Sequence, residues 1–217
     1  MFIGHFAVAL AAKKAAPKAS LGTLIAAAQM VDLLWPVFLL IGLENVRIDP
    51  GNTAVTPLDF YDYPFTHSLL GAVGWSVLFG GVYYFRRKLS REAIVIAFVV
   101  FSHWLLDLLT HRPDLPLAGN ESVKLGLGLW ESITGTIVVE FGLFAAGAYV
   151  YLTSTTAKNK TGTYALIALL AFLAIMHIGN LFGPPPPSVE MIAIAGNAMW
   201  LFVLWGWWID KNRSTRA

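Results

Sequence analysis

The sequence predicts an all-α integral membrane protein with six transmembrane helices and a short N-terminal helix that is half-inserted or re-entrant. Of the 217 residues, 57% are hydrophobic and only 13% are charged, whereas soluble globular proteins carry about 25% charged residues. The mean hydropathy is +0.64. A chain of this composition cannot cover itself with polar surface, so we expect it to lie in a membrane.

Six apolar segments approach the length of about 20 residues that an α-helix needs to cross a bilayer. They are residues 21–42, 66–85, 93–110, 130–152, 163–182 and 189–209. The first contains Asp32 and then Trp35-Pro36, where a kink is expected because proline lacks the N–H donor. Residues 2–12 are apolar but too short to span, and we expect them to form the half-inserted or re-entrant helix.

Positive charge predicts how the spans are oriented. Lysines and arginines gather on one side of the predicted bundle, and the long loops on the other side are rich in Asp and Glu. The basic residues are Lys13, Lys14, Lys18, Arg86, Arg87, Lys88, Arg91, Lys158, Lys160, Lys211, Arg213 and Arg216. Because cytoplasmic loops carry the excess of Lys and Arg, both termini are expected on the cytoplasmic side.

Composition and motifs also exclude several classes of protein. A formal charge of +2 is too small to indicate a nucleic-acid partner, and the lack of cysteine excludes disulfides, thiolate nucleophiles and Cys-based metal sites. The sequence contains no Gly-rich phosphate loop, Gly-x-Ser-x-Gly elbow or His-Glu-x-x-His motif. The N-terminus lacks the cationic region of a signal peptide and is expected to be retained. We predict one transmembrane helical domain over residues 1–217, with a metal-site-bearing part (1–152) and a two-helix C-terminal part (153–217).

The most informative motif places His103, Asp107 and His111 at i, i+4 and i+8 within one predicted span. Residues four apart share a helical face, so the three side chains are expected to point the same way. Ionisable groups at membrane depth are costly and by default mark a functional site. Imidazole and carboxylate are also ligands of zinc and similar divalent metals. The motif therefore predicts a buried metal site.

Three more residues are expected at the same depth, given a rise of 1.5 Å per helical residue. The predicted metal ligands are His5, Asp32, His67, His103, Asp107 and His111. Because one zinc takes three or four ligands, the site is expected to hold one or two Zn²⁺ ions. Asp32 and Asp107 are the candidates for bridging two ions or for guiding the attacking water.

Other polar residues in the predicted spans are interpreted separately. Glu131 begins the fourth span beside the outer loops and is expected to reach the site as a ligand or proton donor. Glu140 lies in mid-span and needs a partner, and an inter-helix hydrogen bond and a catalytic role both remain open. His177, Asn180 and Asn197 lack the ligand pattern and are predicted to pack helices against one another.

A metal site at this depth favours hydrolysis of a phosphoester presented from the membrane, such as a lipid phosphate. One ion generates hydroxide, and a pair stabilises the charge that develops on phosphorus. Membrane lipids are then the expected partners, and nucleic acid is not. Two other classes stay open: a metal-ion or proton-coupled transporter that uses the same His/Asp cluster, and a scaffold whose metal only clamps helices together.

The site residues also lie in motifs that resemble a known family, the bacterial inner-membrane metal-dependent hydrolases, which are also labelled LexA-binding. The motifs are Met-Phe-Ile-Gly-His5, the lone Asp32, Pro-Phe-Thr-His67-Ser and Ser-His103-Trp-Leu-Leu-Asp107-Leu-Leu-Thr-His111-Arg-Pro. This resemblance covers the chain to about the fourth span and implies a hydrolase of the bacterial inner membrane. The order of ligands is also similar, more faintly, to that of zinc-dependent phospholipase C and nuclease enzymes, in which carboxylates bridge metals and act as base.

Overall fold

The computed structural model describes residues 1–216, and nine α-helices make up most of that part of the chain. They are α1 (Ile3–Ala15), α2 (Leu21–Ala28), α3 (Met30–Leu40), α4 (Leu69–Arg87), α5 (Ser90–Thr110), α6 (Ile133–Ser154), α7 (Lys160–Phe182), α8 (Val189–Asn197) and α9 (Trp200–Lys211). Five helices begin at a Ser or Asn whose side-chain oxygen accepts a hydrogen bond from a backbone N–H of the first turn. That N–H has no partner within the helix itself, so the cap satisfies it. These capping residues are Ser20, Ser68, Ser132, Asn159 and Ser188.

Several of these helices are long and apolar enough to cross a membrane. Four segments meet this description, namely α5, α6, α7 and α8 continued by α9, and a fifth is added if α2 and α3 count as one bent span. The expected six are not reached within the described residues. The missing segment is α4, whose 19 residues include four glycines, two tyrosines and a tryptophan, all of which lower its hydropathy.

The N-terminal helix lies inside the bundle rather than against its edge. Of the 13 residues of α1, most are buried, and the helix packs chiefly against α6 and also against α2 and α5. At 1.5 Å per residue it is about 20 Å long, too short to cross the bilayer, as its sequence predicts. Lys13 near its end is buried and donates to Ala19 O at 2.7 Å and to Asp210 of α9 at 2.8 Å.

The first predicted span is broken at Gln29, not at Pro36 as expected. Gln29 ends α2 and begins α3, and the two helices are bent by 58°. Pro36 lies inside α3 and packs against α8, where a Cβ added to Gly196 would lie 2.4 Å from its ring. The break occurs where the carbonyl of Ala28 turns to accept a bond from a histidine of α5.

Short antiparallel pairs of strands cover both ends of the bundle. At one end β1 (Asn45–Ile48) pairs with β2 (Leu58–Asp62), and β3 (Leu115–Pro116) pairs with β4 (Lys124–Leu125). At the opposite end β5 (Thr155–Ala157) pairs with β6 (Arg213–Thr215), and the Arg213 guanidinium donates to Thr155 and Gly162. The first two hairpins come from the long loops that were expected to be acidic.

The interior is apolar and so is much of the exterior. Phe6, Leu10 and Leu24 lie in the apolar core and are each at most 2% exposed. On the outside Val77 and Phe98 keep 69% and 68% of their surface exposed. Large apolar side chains facing outward on helices of this length are typical of a surface in contact with lipid.

Candidate metal centre

Five of the six predicted ligands come together where α1, α3, α5 and the turn before α4 meet. His5, His103 and Asp107 form one group, and Asp32, His67 and His103 form a second. Within each group the ligand atoms all lie within 4.8 Å of one another. The two groups share His103, which makes it the central residue of the cluster.

The distances within the cluster match the spacing of ligands around a small cation. His103 Nε2 lies 3.0 Å from Asp107 Oδ2 and 3.6 Å from Asp32 Oδ2. His5 Nε2 lies 3.1 Å from Asp107 Oδ1, and His67 Nε2 lies 3.2 Å from Asp32 Oδ1. Tetrahedral ligands about 2.05 Å from zinc are about 3.3 Å apart. A zinc-sized ion therefore fits with little rearrangement.

The orientation of His103 suits a metal ligand. Its Nδ1 lies 2.7 Å from the carbonyl of Ala28, so Nδ1 carries the proton and donates it there. Its Nε2 faces the carboxylates and makes no hydrogen bond within residues 1–216. The ring is parallel to that of His5, with centroids 3.6 Å apart. In the neutral ring Nε2 therefore carries a lone pair beside two carboxylates, and a cation bound between them would be a suitable partner for it.

His67 is oriented by a buried carboxylate that acts through a threonine. Thr66 Oγ1 donates to Glu44 Oε2 at 2.7 Å and lies 2.7 Å from His67 Nδ1. The hydroxyl proton is used on Glu44, so His67 Nδ1 donates and Nε2 is left facing Asp32. Outer partners of this kind fix the ring and the tautomer of metal-binding histidines. In the sequence, Glu44 is merely one acidic residue of an outer loop, and nothing local links it to His67.

The charge of the cluster also favours a bound cation. Asp107 is 2% exposed, and its Oδ1 accepts a bond of 2.6 Å from the amino group of Met1. Asp32 is 25% exposed and lies against His67 and His103. Buried carboxylates are costly unless a positive charge compensates them, and one ammonium group balances only one of the two. A divalent ion between Asp32 and Asp107 would supply the remaining positive charge.

His111 lies outside both groups. Helix α5 ends at Thr110, and although the N–H of His111 still bonds to Asp107 O at 2.8 Å, the residue is extended and its ring no longer follows the helical face. Its Nδ1 lies 2.9 Å from Asp114 Oδ1, which also accepts the hydroxyl of Tyr63 at 3.0 Å. At the i+8 position His111 thus lies among the loops, outside the two groups of candidate ligands.

The two glutamates of the prediction are placed differently from each other. Glu131 is exposed at the end of a 3₁₀ helix, Leu129–Glu131, and belongs to neither group. Glu140 is buried, and its Oε2 accepts from the amides of Phe2 at 2.9 Å and Gly4 at 3.3 Å. Because no side chain of its own caps α1, Glu140 serves as the cap from another helix. The inter-helix bond is the alternative that the structure supports.

A cavity of about 610 Å³ adjoins the cluster. Asp32, His67, Asp107 and His111 contribute to its lining, and so do residues of α7 and α8. His177 of α7 is 2% exposed, lines the cavity, and has neither ring nitrogen hydrogen-bonded to any described residue. The sequence predicts only that His177 packs helices together. Its lack of hydrogen-bond partners depends on the neighbouring helices, so no local pattern in the sequence indicates it.

No protein-family model, curated protein or solved structure matches the chain. The resemblance to metal-dependent hydrolases stays a prediction, and the chemistry has to be judged from the geometry. The cavity brings together imidazole and carboxylate ligands that could hold a metal ion, a partly accessible carboxylate at Asp32, and the imidazole of His111 paired with Asp114.

Proposed function

We propose that this protein is a membrane-embedded, metal-dependent hydrolase that cleaves phosphoesters of lipids. The observation that carries this proposal is the pair of His/Asp groups that overlap at His103 beside a 610 Å³ cavity. Nitrogen and oxygen ligands at this spacing suit Zn²⁺. Because the single lone pair of His103 Nε2 can bind only one ion, we expect one zinc per chain, held by His103 with Asp107 and neighbouring ligands.

The side chains around the cavity supply the acid and the base of a hydrolysis. A bound zinc would contribute Lewis acidity and a water of lowered pKa. Asp32 is the more accessible carboxylate and accepts the proton of the attacking water as the new oxygen–phosphorus bond forms. Protonated His111, stabilised through Nδ1 by Asp114, gives its Nε2 proton to the leaving oxygen as the old bond breaks. This proposal replaces the expected ligand role of His111 and assigns no role to Glu131.

Aromatic rings enclose the proposed proton donor. The ring of His111 lies 4.3 Å from that of Trp130 and 5.1 Å from that of Phe60, measured between centroids. Both rings also line the cavity, together with Trp35. Rings in this position limit the access of bulk water to the leaving group, which strengthens the electrostatic interactions inside the site.

The packing below the cluster supports hydrolysis over transport. A transporter would need polar groups that continue from the cluster to the opposite end of the bundle. Phe6, Leu10 and Leu24 instead fill the interior along α1 and α2 at no more than 2% exposure. Lys13, further along α1, is paired with Asp210, so it offers no vacant binding position.

For the topology we propose six spans in a bacterial inner membrane, with the C-terminus and the Lys13 end of α1 on the cytoplasmic side and with Met1 inside the bundle at the metal centre, where its amino group reaches Asp107. Helix α4 has 19 residues, about 28 Å at 1.5 Å per residue, which approaches the 30 Å of the hydrocarbon core. Lys158 donates to Lys211 O, so these two basic segments share one end of the bundle. Since the chain has no cysteine, single Ser122→Cys and Lys158→Cys variants can be labelled with an impermeant maleimide in intact cells. Labelling of Lys158→Cys would refute this orientation.

The hydrolase proposal is tested by metal content and activity measured on the same full-length protein. We expect purified wild type to contain one zinc, Asp107→Asn to lose it, and His111→Gln to keep it while losing most hydrolysis of phosphatidic acid. A metal-free wild type would overturn the proposal. Loss of zinc from His111→Gln would restore His111 to the ligands and remove its role as proton donor.

A further inference from the structure

The cavity reaches the surface of the bundle between α7 and α8. Gly179 and Asn180 of α7 and Ala195 of α8 line the cavity and are exposed. The two helices are joined by a proline-rich link, residues 183–188, and they pack on different neighbours, α7 chiefly on α9 and α8 on α3. Both belong to segments apolar enough to cross a membrane. An opening between two such segments faces lipid.

The opening lies close to the end of α7. Gly179 is three residues before Phe182, the last residue of the helix, which is about 5 Å along the helix axis. This is the level at which the headgroups of a bilayer meet the hydrocarbon if α7 spans it. Asn180 then lies where a polar side chain meets headgroups, and the apolar length of α7 below it meets acyl chains.

Small residues leave the opening wide. A Cβ added to Gly179 would have no other atom within 4 Å among the described residues, so free space lies directly outside the helix at this position. Ala195 lines the cavity from α8 and is likewise small. The gap therefore has room for a flexible chain, and a large side chain at position 179 would obstruct it without pressing on the protein.

His177 stands just inside this opening. It lies three residues before Asn180 and thus on the same face of α7, it is 2% exposed, and both of its ring nitrogens are without hydrogen bonds to the described residues. A buried imidazole without partners carries an energetic cost that a ligand in the cavity would remove. Its two nitrogens can donate to or accept from the oxygens of a lipid headgroup.

We propose that the gap between α7 and α8 is a lateral portal through which a diacyl lipid phosphate reaches the metal centre, with His177 hydrogen-bonding its headgroup. This inference rests on the proposed function in one respect, namely that the substrate is a phosphate. The lipid nature of the ligand comes from the position of the gap between membrane-spanning segments and from its polar lining at headgroup level.

The portal is tested by photo-crosslinking of the full-length protein in lipid nanodiscs. The probe is a phosphatidic acid that carries a diazirine in one acyl chain. The variant is Gly179→Phe, and the matched control is Gly142→Phe, because Gly142 of α6 also has open space around an added Cβ but does not line the cavity. We expect wild type and the control to be labelled in α7 and α8 and Gly179→Phe to lose most of that labelling. Equal labelling of the two variants would overturn the portal.

The role of His177 is tested with the same probe and a neutral one. His177→Leu is expected to lower labelling by the phosphatidic acid and to leave labelling by a diazirine diacylglycerol unchanged. An equal loss with both lipids would indicate general damage to the portal and would refute recognition of the phosphate headgroup.

Activity separates this inference from the proposed function. If the protein is labelled in α7 and α8 but hydrolyses neither phosphatidic acid nor glycerol 3-phosphate, the proposed hydrolase function is wrong and the proposed portal is supported. If Gly179→Phe hydrolyses phosphatidic acid as fast as wild type does, the hydrolase stands and the portal is wrong. Selective loss of phosphatidic acid hydrolysis, with glycerol 3-phosphate hydrolysis retained, supports both.

Discussion

The contact between α1 and α6 is close enough to be tested with a single methyl group. A Cβ added to Gly147 of α6 would lie 2.4 Å from the carbonyl oxygen of Ala7 and 2.7 Å from its Cα. These are backbone atoms, which cannot swing aside. The shorter distance is about 1 Å less than an ordinary van der Waals contact, so Gly147→Ala must push α1 away from α6 by a similar amount.

A control in the same helix isolates this effect. Gly142→Ala meets nothing within 4 Å, so it should stabilise the protein through helix propensity alone, by up to about 1 kcal/mol. Gly147→Ala receives the same propensity gain but overpacks the contact, which typically costs about 1–3 kcal/mol. We expect Gly147→Ala to be less stable than Gly142→Ala by that difference, measured by thermal unfolding in detergent.

The displacement should also reach the metal centre. Helix α1 carries His5, whose Nε2 lies 3.1 Å from Asp107, and metal sites tolerate errors of only about 0.2 Å in ligand distance. We therefore expect Gly147→Ala to bind less zinc than Gly142→Ala, measured by elemental analysis of matched preparations. A Gly147→Ala protein as stable as Gly142→Ala, with full zinc, would refute both the close packing of α1 and its part in the site.

Three further predictions follow from other contacts. Thr66→Val should weaken zinc binding about 10–100-fold by removing the link to the buried carboxylate, and Thr66→Ser should restore it in a chelator competition. Lys13→Met should destabilise the protein by about 1–3 kcal/mol, because Asp210 loses its buried donor, and the change should shrink when Asp210→Asn is already present. Burial and Asp114 raise the pKa of Tyr63 well above its ordinary value, so its protonated form stabilises the fold below a pH of about 10 and that stabilisation is lost as the pH rises further. The stability advantage of wild type over Tyr63→Phe should therefore decline in alkali, and an advantage independent of pH would contradict it.

The sequence predicts well which candidate ligands come together where helical periodicity controls their positions. His103 and Asp107 lie four residues apart on one helix, so their common face follows from local geometry alone. His5, Asp32 and His67 come from separate segments, and their meeting was expected from depth along the bundle, which the structure confirms as proximity. His111 belongs to neither group because α5 ends at Thr110, whereas the expected common face requires the helix to continue.

Other features depend on contacts that no local pattern records. The run Ala26-Ala27-Ala28-Gln29 favours an unbroken helix, yet the chain breaks there and a tertiary bond to the carbonyl of Ala28 uses the freed acceptor. Pro36, the local signal for a kink, is accommodated inside α3. The expected count of six spans differs from the structure at α4, which has the length of a span but not its hydropathy.

The enclosed position of α1 has a consequence for how the protein is made. Its first amides bond to Glu140, which follows Phe2 by 138 residues, and its walls are α2, α5 and α6. During biosynthesis these walls are complete only after α6 has been inserted, so α1 must wait at the membrane surface and dock late. If α1 entered the hydrocarbon before α6 was present, the amides that bond to Glu140 would have no partner there. If His5 helps to hold zinc, as we propose, the metal would bind only after that docking, and zinc content would then indicate that assembly is complete.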